Sequence, residues 1–327
     1  MGWQFDKFHA APVGAKKIVA FDENDNRRSI VGLGGLKPPD RSMRMYSFGL
    51  LSDTHLGIND DAYAAFSKAV DYMDADDDVE LIFITGDITN SLAVEQFDLF
   101  KGKFNYVDGK PVTKKGGKGV FAVSGNHEVM DYDKKLERVV DATGIGIWSY
   151  IEHGGDVFLL LGCHSVTEAI PASGIPACQL FVKEDLVAIC DYVAAKKQDG
   201  KRIFAMKHYP LTEEHADFDP STKSRFYLPM RVYENTTVFY GHQHKYLSMS
   251  NLCRDDISQH LGIGYHGVFV PTLCGKIGNE YKEPGQGYIV DVYPNGIHLR
   301  GMNFFGEEVQ AIPSGTFWID TNKVFDY

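Results

Sequence analysis

Six short apolar runs recur along the chain at helix-sized intervals: Tyr46 to Ser52, Val79 to Thr85, Gly119 to Ser124, Asp156 to Leu161, Arg202 to Lys207 and Thr236 to Tyr240. They are rich in Val, Ile, Leu and Phe and lack strict polar alternation, the pattern of strands covered on both faces. Between them the apolar positions follow a helical period. Asp61 to Met73 places Ala65, Phe66, Ala69, Val70 and Met73 on one stripe, and comparable stripes recur in Leu92 to Phe104, Lys134 to Ala142 and Glu184 to Ala195. Strands alternating with helices of this length predict βαβ units and a substantially parallel sheet.

The flanks have a different texture. Residues 1–45 read as an N-terminal appendage with one β-like pair, Lys17 to Phe21 and Ser29 to Leu33, split by the polar turn Asp22 to Arg28 and followed by the Gly/Pro-rich stretch Gly34 to Asp40. After His244 the pattern turns to strands without long helices: His266 to Leu273, Gly287 to Tyr293 and Ile297 to Asn303. The Asn295–Gly296 pair between the last two predicts a type I′ hairpin, which needs positive φ at both central residues. This β-rich region is expected to complete a second sheet.

With 327 residues, 44% of them apolar, the chain can bury a full core. The net charge of −11 disfavours a polyanionic partner such as nucleic acid. No run approaches the roughly 18 consecutive apolar residues of a membrane helix, so no membrane partner is expected. No signal-peptide pattern opens the chain, and Asp6 stands where a myristoylation signal carries Ser or Thr. The five cysteines, Cys163, Cys178, Cys190, Cys253 and Cys274, are scattered and never form a CxxC pair, so they read as small buried hydrophobes in a reducing, cytoplasmic compartment. Oligomeric state is not legible.

The chemistry is concentrated at strand ends. DTH at Asp53 to His55, GD at Gly86 and Asp87, GNH at Gly125 to His127, the lone His208 and GHQH at Gly241 to His244 each close an apolar run. In open α/β sheets ligands bind outside the carboxyl ends of the strands, so these residues are expected to converge on one edge. Asp53 and His55 are two apart and in extended backbone point the same way, with Thr54 turned aside; His242 and His244 repeat this around Gln243. Gly86, Gly125 and Gly241 allow a tight turn or a close backbone approach. Imidazole nitrogens with carboxylate and amide oxygens, and no thiolate, suit Zn, Mn or Fe. A bridging carboxylate can hold two cations about 3.5 to 4 Å apart and clamp a phosphoryl group, which points to hydrolysis.

In order and spacing these motifs resemble those of the calcineurin-like metallophosphoesterase family: DxH, GDx, GNH[DE], H, GHxH, with Glu128 at the variable position. The resemblance spans residues 46–305 and leaves 306–327 as a C-terminal extension. It implies a metallophosphoesterase-like α/β fold, a four-layer α/β/β/α sandwich of two mixed sheets flanked by helices. It also implies two divalent or mixed-valence ions (Mn, Zn or Fe). Asp53, His55 and His244 would hold one ion, Asn126, His208 and His242 the other, and Asp87 would bridge them. Activated water would then attack phosphorus in line, with His127 steadying the phosphoryl oxygens and protonating the leaving alkoxide. Many members carry an Asp three residues after the bridging one to orient this histidine. Here the position is Asn90, whose carbonyl can still accept a histidine N–H without adding charge.

Other signals are weaker. Asp74, Asp76 and Asp78 mimic the start of a calcium loop, but Val79 and Thr85 stand where Gly and Glu belong, so a solvated helix end is expected. KKGGKG at Lys114 to Gly119 lacks the Ser or Thr and the spacing of a P-loop and reads as a flexible connection at the opposite edge. His164, which follows a strand, Tyr209 just after His208, Asn90 and the stretch Ser224 to Tyr227 are candidate pocket residues. The functional expectation is a hydrolase of small soluble phosphomonoesters or phosphodiesters. The alternatives are a non-catalytic interaction module on the same fold and a nuclease.

Overall fold

The structure, a computed structural model, describes residues 17–21, 27–31, 40–91, 93–129, 135–163, 181–211, 228–244, 247, 265–274, 276–277, 280–281 and 285–321. The chain opens with β1 (Lys17–Phe21) and β2 (Arg27–Val31), an antiparallel pair. There follow β3 (Tyr46–Leu51), α1 (Asp60–Ala75), β4 (Val79–Ile84), α2 (Val94–Gly102), β5 (Asn105–Val107), β6 (Lys110–Val112), β7 (Gly119–Ala122) and α3 (Lys135–Thr143). The middle of the chain supplies β8 (Trp148–His153), β9 (Asp156–Leu161), α4 (Lys183–Gln198), β10 (Ile203–Lys207), β11 (Thr236–Tyr240) and β12 (His266–Phe269). The last part adds the short pair β13 (Lys276–Ile277) and β14 (Glu280–Tyr281), then β15 (Gln286–Tyr293), β16 (Gly296–Asn303) and β17 (Gln310–Asp320).

Two mixed sheets form the body. The larger runs β17-β16-β15-β3-β4-β7-β6-β5 and the smaller β12-β11-β10-β9-β8. In each, the strands alternating with helices pair in parallel: β3 with β4 and β4 with β7, and β9, β10, β11 and β12 in succession. Strand alternation distributes the side chains into layers. Ile82 and Ile84 of β4 join Phe66, Val70 and Met73 of α1 and Phe97 and Phe100 of α2 on the outer face of the large sheet. Leu81 and Phe83 turn the other way, meeting Phe48, Phe158, Phe204 and Phe239 between the sheets. Leu159, Ala205 and Val238 then pack outward beneath Ile189 and Val193 of α4. The order is helix, sheet, sheet, helix. α1 starts where Asn59 accepts the Ala62 N–H at 2.8 Å, with Asp60 and Asp61 in its first turn, where the helix dipole favours acids.

Four expectations need correction. The C-terminal strands do not complete the second sheet: β15 pairs antiparallel with β3, so β15, β16 and β17 widen the first, and only β12 joins the second. The hairpin between β15 and β16 forms, but its loop residues are Pro294 and Asn295 and neither has positive φ. Proline cannot enter a type I′ turn, and a Cβ at Gly296 would instead collide with Ile319 and Trp318 of β17. KKGGKG is not a loose connection. Asp74, 7% exposed, accepts Thr113 Oγ1 at 2.5 Å, Lys115 N at 2.9 Å and Gly116 N at 2.7 Å, which fastens that loop to the end of α1. Asp78 pairs with Arg41 and Arg44, so this helix end is tied down rather than merely solvated.

Candidate metal centre

The carboxyl edges of both sheets meet at one place. Asp53 and His55 follow β3, Asp87 follows β4 and Asn126 and His127 follow β7; from the other sheet His208 follows β10 and His242 and His244 follow β11. The loops prolong the parallel pairing beyond the strands, with Asp53 N to Gly86 O at 3.1 Å, His55 N to Asp87 O at 2.9 Å and Gly241 N to His208 O at 3.1 Å. All eight residues are brought together.

The backbone reaches this arrangement by a different route from the extended one expected. Asp53, His55, Asp87, His242 and His244 have φ of 50°, 40°, 49°, 68° and 47°, in the left-handed region. Asp and His tolerate that region better than most residues, yet it costs energy and clusters at functional sites. Thr54 is turned aside as expected, donating to Ile88 O at 2.7 Å. Gly86 has φ of 96°, whereas Gly125 and Gly241 are needed for space: a Cβ would overlap Asp87 at the first and Ser52 and Asp53 at the second.

Two donor groups share one carboxylate. Asp53, His55, Asp87 and His244 offer ligand atoms mutually within 4.8 Å, and so do Asp87, His208 and His242. Asp87 Oδ1 accepts the His127 N–H at 3.0 Å, while Oδ2 lies 3.5 Å from His55 Nε2 and 3.3 Å from His208 Nε2. His244 Nε2 is 3.3 Å from Asp53 Oδ1 and 2.9 Å from His55 Nε2. Asn126 Oδ1 sits 3.0 Å from His208 Nε2 and 2.9 Å from His242 Nδ1. His208 Nδ1 donates to Thr85 O at 2.8 Å, which turns Nε2 toward Asp87. Carboxylate and amide oxygens and imidazole nitrogens are thus gathered in a buried space, and this donor chemistry fits a cation.

The electrostatics agree. Burial of Asp87 disfavours its charge, but His208, His55 and His127 hold its carboxyl well below the usual range. Burial also works against a charged His208, yet Asp87, Asp53 and the Thr85 carbonyl prevail and raise it to about 9. Burial takes His55 down to about 3 and, with His208 nearby, His242 down to about 4. Burial and the Asp87 charge push Glu128 upward, against hydrogen bonds from the Thr89 and Gly125 N–H groups. Glu128 thereby clamps the loop after β4 to the loop after β7.

The remaining candidates fare differently. His127 Nδ1 donates to the backbone carbonyl of Asn90 at 2.6 Å, so that oxygen, and not the side chain, orients the ring. Tyr209 is 3% exposed and lies against His242, ring centroids 4.2 Å apart. His164 and residues 224–227 lie outside the described residues. Sequence reasoning missed Cys274, whose thiol is within 4.8 Å of the ligand atoms of His55 and His244. It had excluded a thiolate. The strand-end rule applied to the run His266 to Leu273 would have singled this residue out.

Comparison with known proteins adds the family. The family model for calcineurin-like phosphoesterases matches residues 46–246. A comparison with curated proteins finds no match. Among solved structures, Vacuolar Protein Sorting 29 from Cryptosporidium parvum aligns at 11% identity over 84% of this chain and 98% of its own, with a TM-score of 0.39. A putative 5'-nucleotidase from Staphylococcus aureus aligns at 10% identity over 84% of this chain and 54% of its own, TM-score 0.41. The NAD nucleotidase of Haemophilus influenzae does so at 13% identity over 82% and 49%, TM-score 0.38. Among the described residues no helix is long and apolar enough to cross a membrane. With its strand-end motifs inside the matched segment, the chain belongs to the calcineurin-like phosphoesterase family.

Proposed function

We propose that this protein is a metal-dependent phosphoric ester hydrolase that acts on a phosphomonoester or phosphodiester of a small soluble compound. The observation that carries the reading is the position of Asp87 Oδ2, within 3.5 Å of an imidazole nitrogen from each of the two donor groups. In this reading Asp53, His55 and His244 would hold one ion and Asn126, His208 and His242 the other, with Asp87 shared between them; Mn, Zn and Fe suit the donors. Such a pair, when bound, supplies Lewis acidity and an activated water.

The residues around it divide the remaining work. His55 and His208 are buried, whereas the side chains of His127 and His244 are 26% and 22% exposed; with His244 assigned to an ion in this reading, His127 is the exposed imidazole left to meet an entering ester. Its Nδ1–H is committed to Asn90 O, which leaves Nε2, 3.9 Å from Asp87 Oδ2, to exchange protons with phosphoryl or leaving-group oxygens. A peptide carbonyl holds the ring without contributing a full charge. The net charge of −11 disfavours a long polyanion and leaves a small ester as the better fit.

The test is a panel of nitrophenyl mono- and diesters with matched leaving groups, run on the full chain with Mn, Zn, Fe or Mg. Turnover is expected with at least one ion, and Asp87→Asn should reduce it by about 10³-fold or more, the several kcal/mol a bridged pair supplies. Equal rates for both proteins, or no turnover with any ion, would overturn the reading.

A further inference from the structure

Three cysteines lie among the described residues, and their surroundings differ. Cys190 packs within the apolar layer under α4, and Cys163 sits with Val129 and Tyr209. Cys274 belongs to no apolar cluster among the described residues. Its thiol is 3.4 Å from Thr272 Oγ1 and close to the imidazole nitrogens of His55 and His244. The placement is built into the backbone. Ser52 and Thr272 form a parallel bridge, Leu273 N donates to Ser52 O at 3.0 Å, and Cys274 N donates to Asp53 O at 3.1 Å. The segment ending in Cys274 therefore runs alongside the one that delivers Asp53, and the thiol has a fixed register against the centre.

A second observation points to a ligand at this spot. His55 and His244 face each other through Nε2 at 2.9 Å, with Asp53 and Asp87 oxygens at 3.3 and 3.5 Å. His55 is 2% exposed and, among the described residues, its Nδ1 has no hydrogen-bond partner, so the polar contacts of the ring are those that Nε2 makes at the centre. The other half of the centre has no sulfur within reach among the described residues: Asp87, His208 and His242, with Asn126 beside them, offer only oxygen and nitrogen.

We propose that Cys274 is a sulfur ligand to the cation held by His55 and His244, so that one half of the centre is soft and the other hard. This rests on the metal-binding reading above and goes beyond it. The thiol coordinates as thiolate, its proton passing to solvent as the metal–sulfur bond forms. Sulfur favours zinc, cobalt(II) or iron(II) over manganese and magnesium, so the two halves are expected to sort different ions. The Thr272 hydroxyl is in place to donate to the sulfur.

The test uses the full chain, stripped of metal and titrated with cobalt(II) alone. The expected result is a near-ultraviolet sulfur-to-cobalt charge-transfer band that is lost in Cys274→Ser and kept in Cys190→Ser, while visible ligand-field bands and the bound cobalt persist in all three. Zinc affinity should fall by about 10-fold or more in Cys274→Ser while manganese affinity changes little, since losing one soft ligand penalises the thiophilic ion. Cobalt uptake with ligand-field bands but no Cys274-dependent charge-transfer band would overturn this inference and leave the metal-binding reading standing. No cobalt uptake by any of the proteins would overturn both.

Discussion

The two ends of the parallel strands both bury charge, and they do so in opposite ways. At the amino edge, Asp156 accepts Tyr46 Oη at 2.6 Å and Arg202 Nε and Nη2 at 3.0 and 2.6 Å, while Arg202 Nη1 reaches Tyr293 O at 2.7 Å. Nearby, Asp291 accepts Ser47 Oγ at 2.7 Å and Arg300 Nε and Nη2 at 3.0 and 3.1 Å. Donors match acceptors, and none of these residues has positive φ. At the carboxyl edge, Asp53 and Asp87 take backbone N–H groups from His242 and His127 and otherwise face imidazole nitrogens, on a backbone held left-handed. Burial of polar groups does not by itself mark a functional site; ligand atoms clustered on a strained backbone do.

The comparison can be broken at either edge. The largest effect is expected from Asp156→Ala, which leaves the Arg202 guanidinium, 14% exposed, without its carboxylate. Unfolding free energy should fall by about 3 kcal/mol or more in urea titrations, with turnover per folded molecule unchanged. A loss of turnover without a loss of stability would mean the amino edge is not purely structural. His127→Gln should do the reverse: turnover falls by about 10²-fold, while bound metal and melting temperature stay near wild type. If metal stoichiometry dropped instead, His127 would be a ligand and not a proton carrier.

The smallest effect sharpens the electrostatic side. Burial alone would raise the pKa of Asp291, but hydrogen bonds from His298, Ser47 and Arg300 together with the Arg300 charge bring it to about 2 from 3.8. A carboxyl depressed on folding stabilises above its unfolded pKa, and that contribution disappears as pH falls through the folded value. Asp291→Asn should therefore cost about 2 kcal/mol at neutral pH, and its difference from wild type should shrink between about pH 4 and 2 in acid unfolding curves. A difference independent of pH would show that shape, and not charge, makes the pair matter.

Much of this was legible before any coordinates. Apolar runs such as Val79 to Thr85 announce buried strands because burial on both faces demands continuous hydrophobicity, and the strands found differ from those runs by only a residue or two at their ends. The stripe in Asp61 to Met73 matches α1 for the same reason, since one helix face must meet the sheet. The convergence of Asp53, Asp87, Asn126, His208 and His242 also follows from sequence, because parallel strands deliver their ends to one side.

What sequence could not supply is pairing at a distance. Nothing local in Gln286 to Tyr293 says that it lies beside β3 rather than in the smaller sheet, because apolar strands fit either and only the packed whole selects one. The left-handed turns at Asp53 and His242, the Asn90 carbonyl that orients His127, and the approach of Cys274 to His55 and His244 are likewise decisions of tertiary structure. Periodicity records which faces are buried, and so the chain alone determined its layers and the edge where its chemistry gathers. Which atoms touch depends on backbone torsions and on contacts between segments far apart in the chain, and those exist only once the sheets have closed on each other.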